Sequence, residues 1–94
     1  MTHYIIAKYA ETVTDKAALF LEISALFSRW KDYPFISGCT LSPNVVDRSN
    51  RYDLMIAVEL SQEALPLWDE CALHKKWKSD FGGSLSAKTI IDCQ

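Results

Sequence analysis

The residues with the widest chemical range in this chain are crowded into one stretch, Leu67-Trp68-Asp69-Glu70-Cys71-Ala72-Leu73-His74-Lys75-Lys76-Trp77. An imidazole titrates near working pH, so His74 is the candidate general acid or base, suited to taking a proton from a carbon beside a carbonyl. Cys71 and His74 form a C-x-x-H pair, but a structural zinc needs four ligands, and only His3 and one carboxylate remain to complete a set. No metal and no cofactor are expected. Lys75 lies one helical turn from Cys71, where its charge would activate a thiol; a buried, inert cysteine is the simpler reading. Trp68 and Trp77 offer large apolar surfaces, as core or as the wall of a cavity.

Positioning these side chains falls to short elements with clear signals. Tyr4 to Tyr9 is rich in strand formers, and period-two alternation puts His3, Ile5, Ala7 and Tyr9 on one side, with Tyr4, Ile6 and Lys8 on the other. Thr14 is the expected N-cap of a helix running to about Asp32, with Leu19, Phe20, Ile23, Leu26, Phe27 and Trp30 on its apolar arc. Leu21 falls outside that arc, either as an ordinary exposed leucine or as a contact. Tyr33-Pro34 ends the helix. A second strand is expected at about Cys39 to Val46, at an edge or broken at Pro43, which cannot donate to a ladder. After the turn Asp47-Arg48-Ser49-Asn50, Arg51 to Leu60 alternates cleanly, with Tyr52, Leu54, Ile56, Val58 and Leu60 facing the helices. Its other face, with Met55 and Ala57 among charges, suits a subunit interface. Pro66 fits only the first turn of a helix, so regular helix is expected from there or from Gln62 at a cost. A further turn or two from Leu73 to Phe81 is closed by Gly82-Gly83 in left-handed conformation, and Ser86 to Cys93 is the last strand.

The order strand, helix, strand, strand, helix, short helix, strand predicts an α+β fold: a ferredoxin-like four-stranded antiparallel sheet with helices on one face. Pairing of the first and last strands in that fold brings Asp92 near His3, where it would orient the ring or hold its proton. The bare face would be buried by pairing two sheets in a dimeric α/β barrel.

Composition excludes several classes. The 94 residues fit one domain, 49% apolar and 12% aromatic, an ordinary globular balance. A net charge of −2 leaves no footprint for nucleic acid, and the Lys75-Lys76-Trp77-Lys78 cluster is offset by Asp69, Glu70 and Asp80. No apolar run approaches a membrane span and no leader pattern opens the chain, so a cytoplasmic protein is expected. The three cysteines, Cys39, Cys71 and Cys93, form no disulfide framework.

His3-Tyr4-Ile5-Ile6, Tyr33-Pro34-Phe35-Ile36, Arg51-Tyr52-Asp53-Leu54, His74-Lys75-Lys76-Trp77 and Ile90-Ile91-Asp92 stand in an order that resembles the stress-responsive dimeric A/B barrel (Dabb) family over nearly the whole chain. The resemblance implies a single Dabb-like domain over 1–94 and a homodimer, here through Tyr4, Ile6, Met55 and Ala57. Many members have no assigned activity, some are stress-linked plant proteins, and one is a plant polyketide cyclase that closes a tetraketide by aldol condensation without a cofactor. The cyclase works with a histidine and a tyrosine, which match His74 and Trp68. An indole offers no phenolic oxygen, so half of that pair is missing. The cyclase His-Pro reads Cys71-Ala72 here, and a further pocket histidine matches His3.

Two readings follow. One is a stress-associated or small-molecule-binding dimer whose apolar pocket beside His74 holds a small apolar ligand, lined by Ile5, Ala7, Leu54, Ile56, Val58, Trp68, Cys71, Trp77, Leu85 and Ile90. The other is a cofactor-free cyclase, isomerase or lyase with His74 as acid/base, assisted by His3 and Asp92. A heme-degrading barrel enzyme, with His74 as axial ligand, is not distinguished from these.

Overall fold

A computed structural model describes residues 1–94. The elements are β1 (Thr2–Tyr9), α1 (Lys16–Phe27), β2 (Ile36–Pro43), β3 (Leu54–Leu60), α2 (Leu65–Glu70), α3 (Ala72–Phe81) and β4 (Leu85–Cys93). The sheet is antiparallel in the order β2-β3-β1-β4. That is the ferredoxin-like topology expected from the element order.

The alternation in β1 is realised. His3, Ile5, Ala7 and Tyr9 are buried against the helices, and Tyr4, Ile6 and Lys8 are half-buried on the outer face. In β3, Leu54, Ile56, Val58 and Leu60 are buried, and Met55, Ala57 and Glu59 face outward. Cross-strand register sets Tyr4 beside Ala57 and Ile91, and Ile6 beside Met55, so the outer face carries an open apolar patch. Ile91 belongs to that patch and was not anticipated.

Several boundaries differ from the sequence reading, each for a local reason. Asp15, not Thr14, caps α1, its Oδ1 accepting from the Ala18 N–H at 3.0 Å. The α-helix stops at Phe27 and tightens into a 3-10 turn, Ser28–Asp32, where the Ser28 hydroxyl donates to the Ala25 carbonyl at 2.6 Å. β2 begins at Ile36 and ends at Pro43, the residue that cannot extend the ladder, so Val45 and Val46 lie outside it. β3 begins at Leu54 rather than Arg51, because the Arg51 carbonyl is taken by Lys8 Nζ at 3.0 Å and Tyr52 turns out to solvent. α2 starts at Leu65 with Pro66 in its first turn, where the missing N–H costs nothing. Gly82 is not left-handed: at φ −54°, ψ −38° it continues α3 into a 3-10 turn, Gly82–Ser84, and no residue of the chain has positive φ.

One core fills the space between sheet and helices, with Trp68, Trp77, Phe27 and Ile23 from the helices against Ile5, Ile56 and Val58 from the strands. No helix is long and apolar enough to cross a membrane.

Candidate functional site

The sheet's helix-facing side ends at β4, and there the chemistry of the chain gathers. His3 lies opposite Asp92 in the β1–β4 register, and its Nδ1 is 2.6 Å from Asp92 Oδ1. A carboxylate only accepts, so Nδ1 carries a hydrogen and Nε2 is the ring nitrogen left without a protein partner. His3 is 7% exposed, and its ring meets Trp68 edge-on with centroids 6.0 Å apart. His74 packs against the same indole at 5.1 Å. Its Nδ1 donates to the Asp69 carbonyl at 3.1 Å, which leaves Nε2 as the basic nitrogen. Burial lowers the His74 pKa; the Asp69 carbonyl works against this, and the positive charges of Lys78 and Lys88 add to the lowering. The ring is therefore neutral at pH 7, as a general base must be.

Local folding explains this placement. Cys71 is extended at φ −73°, ψ 155°, breaking the helical path between α2 and α3. The break lets the chain turn, so that Trp68 from α2 and His74 from α3 meet. With no side chain of Cys71 capping α3, the Leu73 N–H donates to the Tyr33 hydroxyl at 3.0 Å. Tyr33 thus anchors the turn that carries His74. This contact spans 40 residues and left no signal in the sequence. Lys88, on the same side of β4 as Ile90 and Asp92, was also missed; its charge reaches His74.

The expected apolar pocket takes a different form. Ile5, Ala7, Leu54, Ile56, Val58, Trp68 and Trp77 are each 2% exposed or less and pack on one another, so they fill the core rather than line a cavity. The reason is volume: two indoles and Phe27, with Phe27–Trp77 centroids at 5.4 Å, occupy the space between the layers. Cys71 and Leu85 are half-buried at its margin, and Ile90 is 44% exposed. None of the five principal hollows is bounded by His3, Trp68, His74 or Trp77. What the structure brings together is a rim in which half-buried His74 and exposed Asp92 and Ile90 stand over buried His3 and Trp68. The three cysteines are unpaired, and no cluster of three metal-ligating side chains forms. Burial pushes the Cys39 thiol up to about 11, which makes it unreactive.

No family model matches the chain, and no curated protein matches it. Solved structures do. A dimeric protein of unknown function and ferredoxin-like fold from Bacteroides fragilis superposes with a TM-score of 0.83 at 9% identity, over 99% of this chain and 93% of that one. A Dabb family protein with a ferredoxin-like fold from Mesorhizobium loti gives 0.73 at 9% identity, over 99% and 93%. The chain has the ferredoxin-like fold. The hydroxynitrile lyase from Passiflora edulis has it too, with a TM-score of 0.76 at 9% identity over 96% of this chain and 87% of that one. At these identities the fold is what is shared.

Proposed function

We propose that the protein is a Dabb-type homodimer that binds a small apolar ligand at the β4 rim, against Ile90 and His74 and over the buried Trp68 and His3. The observation that carries this reading is the pair of differently held histidines on one indole, His3 tied to Asp92 at 2.6 Å and His74 tied to the Asp69 carbonyl at 3.1 Å. Both rings are fixed through Nδ1, which leaves both Nε2 atoms for a ligand. A half-exposed isoleucine beside them supplies the apolar contact that orients an uncharged group.

A cofactor-free lyase or isomerase is the second reading. It is favoured by the His74 tautomer and by the burial that keeps that ring neutral. A lyase with the same fold raises its standing by analogy alone. Here His74 Nε2 would take the proton and Lys88 would stabilise the resulting anion.

One experiment separates the two. Polyketide-like and α-keto compounds are screened for binding by the histidine ring resonances and for turnover by product formation. The binding reading expects His3 and His74 shifts with no turnover; the enzyme reading expects turnover that His74→Ala lowers by about 10²–10⁴-fold. Equal rates in wild type and His74→Ala would remove the enzyme, and ring resonances unmoved by every compound would remove both.

A further inference from the structure

A second feature lies at the other end of β1, about 20 Å from His3 along the strand. A cavity of about 370 Å³ opens there between α1 and the end of β2, floored by Tyr9, Ala17, Phe20, Leu21 and Pro43. It shares Lys16, Asn44 and Asp53 with a more polar hollow of about 540 Å³ beneath the segment 44–51, and that hollow is edged by Lys8, Arg48 and Arg51. The first volume lies within the usual range for a small-ligand site, about 300–1,000 Å³.

The charges are unbalanced. Four cations, Lys8, Lys16, Arg48 and Arg51, meet two carboxylates, Asp47 and Asp53, an excess of two positive charges in a chain whose net charge is −2. Asp53 is already committed: Oδ1 accepts from Lys16 Nζ at 2.9 Å and Oδ2 from the Tyr9 N–H at 2.8 Å. Lys8 Nζ donates to the neutral carbonyls of Arg51 at 3.0 Å and Ser49 at 3.5 Å, and Arg51 donates to the Asn50 amide at 2.6 Å. Lys8, Arg48 and Arg51 thus have no carboxylate partner. Leu21, which stands off the buried face of α1, forms part of the apolar floor.

We propose that this hollow binds a small amphipathic monocarboxylate, its aliphatic or aryl tail against Phe20 and Leu21 and its carboxylate toward Lys8, Arg48 and Arg51. A neutral apolar ligand would use the apolar floor alone and gain nothing from the cations beside it. A polyanion would need a longer basic track than the hollow provides. The site uses no residue of the β4 rim, so it stands whether or not that rim binds anything.

The test is a titration of the ¹⁵N-labelled full chain with sodium octanoate, with octanol as the uncharged control. Saturable shifts are expected at Ala17, Leu21, Asn44 and Asp53, with octanol at least about tenfold weaker. The double variant Arg48→Ser/Arg51→Ser is expected to weaken octanoate by about tenfold or more. Ala17→Trp, at an exposed helix position, fills the floor and is expected to abolish binding, its fold checked by an unchanged spectrum elsewhere. Equal binding of octanol and octanoate, full binding by either variant, no saturable shift, or shifts confined to Leu73–Trp77 would each overturn the proposal. So would shifts of the same four amides on dilution in place of octanoate, which would assign the hollow to a second copy of the chain.

Discussion

His74 and Asp53 are the two side chains whose titration the fold bends in informative ways. For His74, burial first and neighbouring lysines second disfavour the charged ring, so its pKa lies below the ordinary 6.5. The unfolded chain takes up a proton near that value while the folded chain resists, so stability falls as pH drops through about 6.5. His74→Gln is expected to remove this slope, read as the wild-type-minus-variant difference in urea midpoint between pH 7 and pH 5. For Asp53, burial raises the carboxyl pKa, but the Lys16 hydrogen bond, the Tyr9 N–H and the charges of Lys16 and Lys8 outweigh it, and the result lies below 3.8. Its contribution is present above the unfolded carboxylate pKa and is lost as pH falls through the lower folded value. Asp53→Asn is expected to cost about 1–3 kcal/mol at pH 7 and much less in acid. Trp68→Ala, by contrast, is a packing loss of about 3–5 kcal/mol, independent of pH.

Among the elements, the start of α3 governs the candidate site. Its first-turn Leu73 N–H is satisfied by the hydroxyl of Tyr33, from the segment after the first helix. Tyr33→Phe removes an acceptor while keeping the ring that packs on Phe35 at 5.9 Å. The expected loss is about 0.5–1.5 kcal/mol, with a shift of the His74 ring resonances that a change remote from the turn would not produce. The start of α1 is a simpler case. Asp15→Ala removes the bond to the Ala18 N–H and is expected to cost about 1 kcal/mol, or about 4–8 °C in a chain of this size.

For the molecule as a whole, the outer sheet face is the unfinished surface. Tyr4, Ile6, Met55, Ala57 and Ile91 lie together there, Met55 and Ile91 well exposed. A second copy packed sheet to sheet would cover them by the same patch on both subunits. Sizing at micromolar concentration is expected to give twice the 10.7 kDa chain mass, and Met55→Glu to shift it toward the monomer. A monomeric wild type would count against the pairing.

The amino-acid sequence alone determined the order of the elements, the faces of β1 and β3, and through them the ferredoxin-like sheet and the approach of Asp92 to His3. Those features follow from local periodicity and from a short list of allowed strand pairings, both written in neighbouring residues. Boundaries slipped where a single hydrogen bond decided them, as at Asp15, Ser28 and Arg51. Only the tertiary structure decided whether the apolar side chains around His74 enclose a space or fill one. That depends on the summed volumes of Phe27, Trp68 and Trp77 arriving from three separate helices, a quantity no local pattern encodes. It likewise decided that Tyr33 holds the turn bearing His74, and that Lys8, Lys16, Arg48 and Arg51, scattered along the chain, meet around one polar hollow that adjoins the apolar floor.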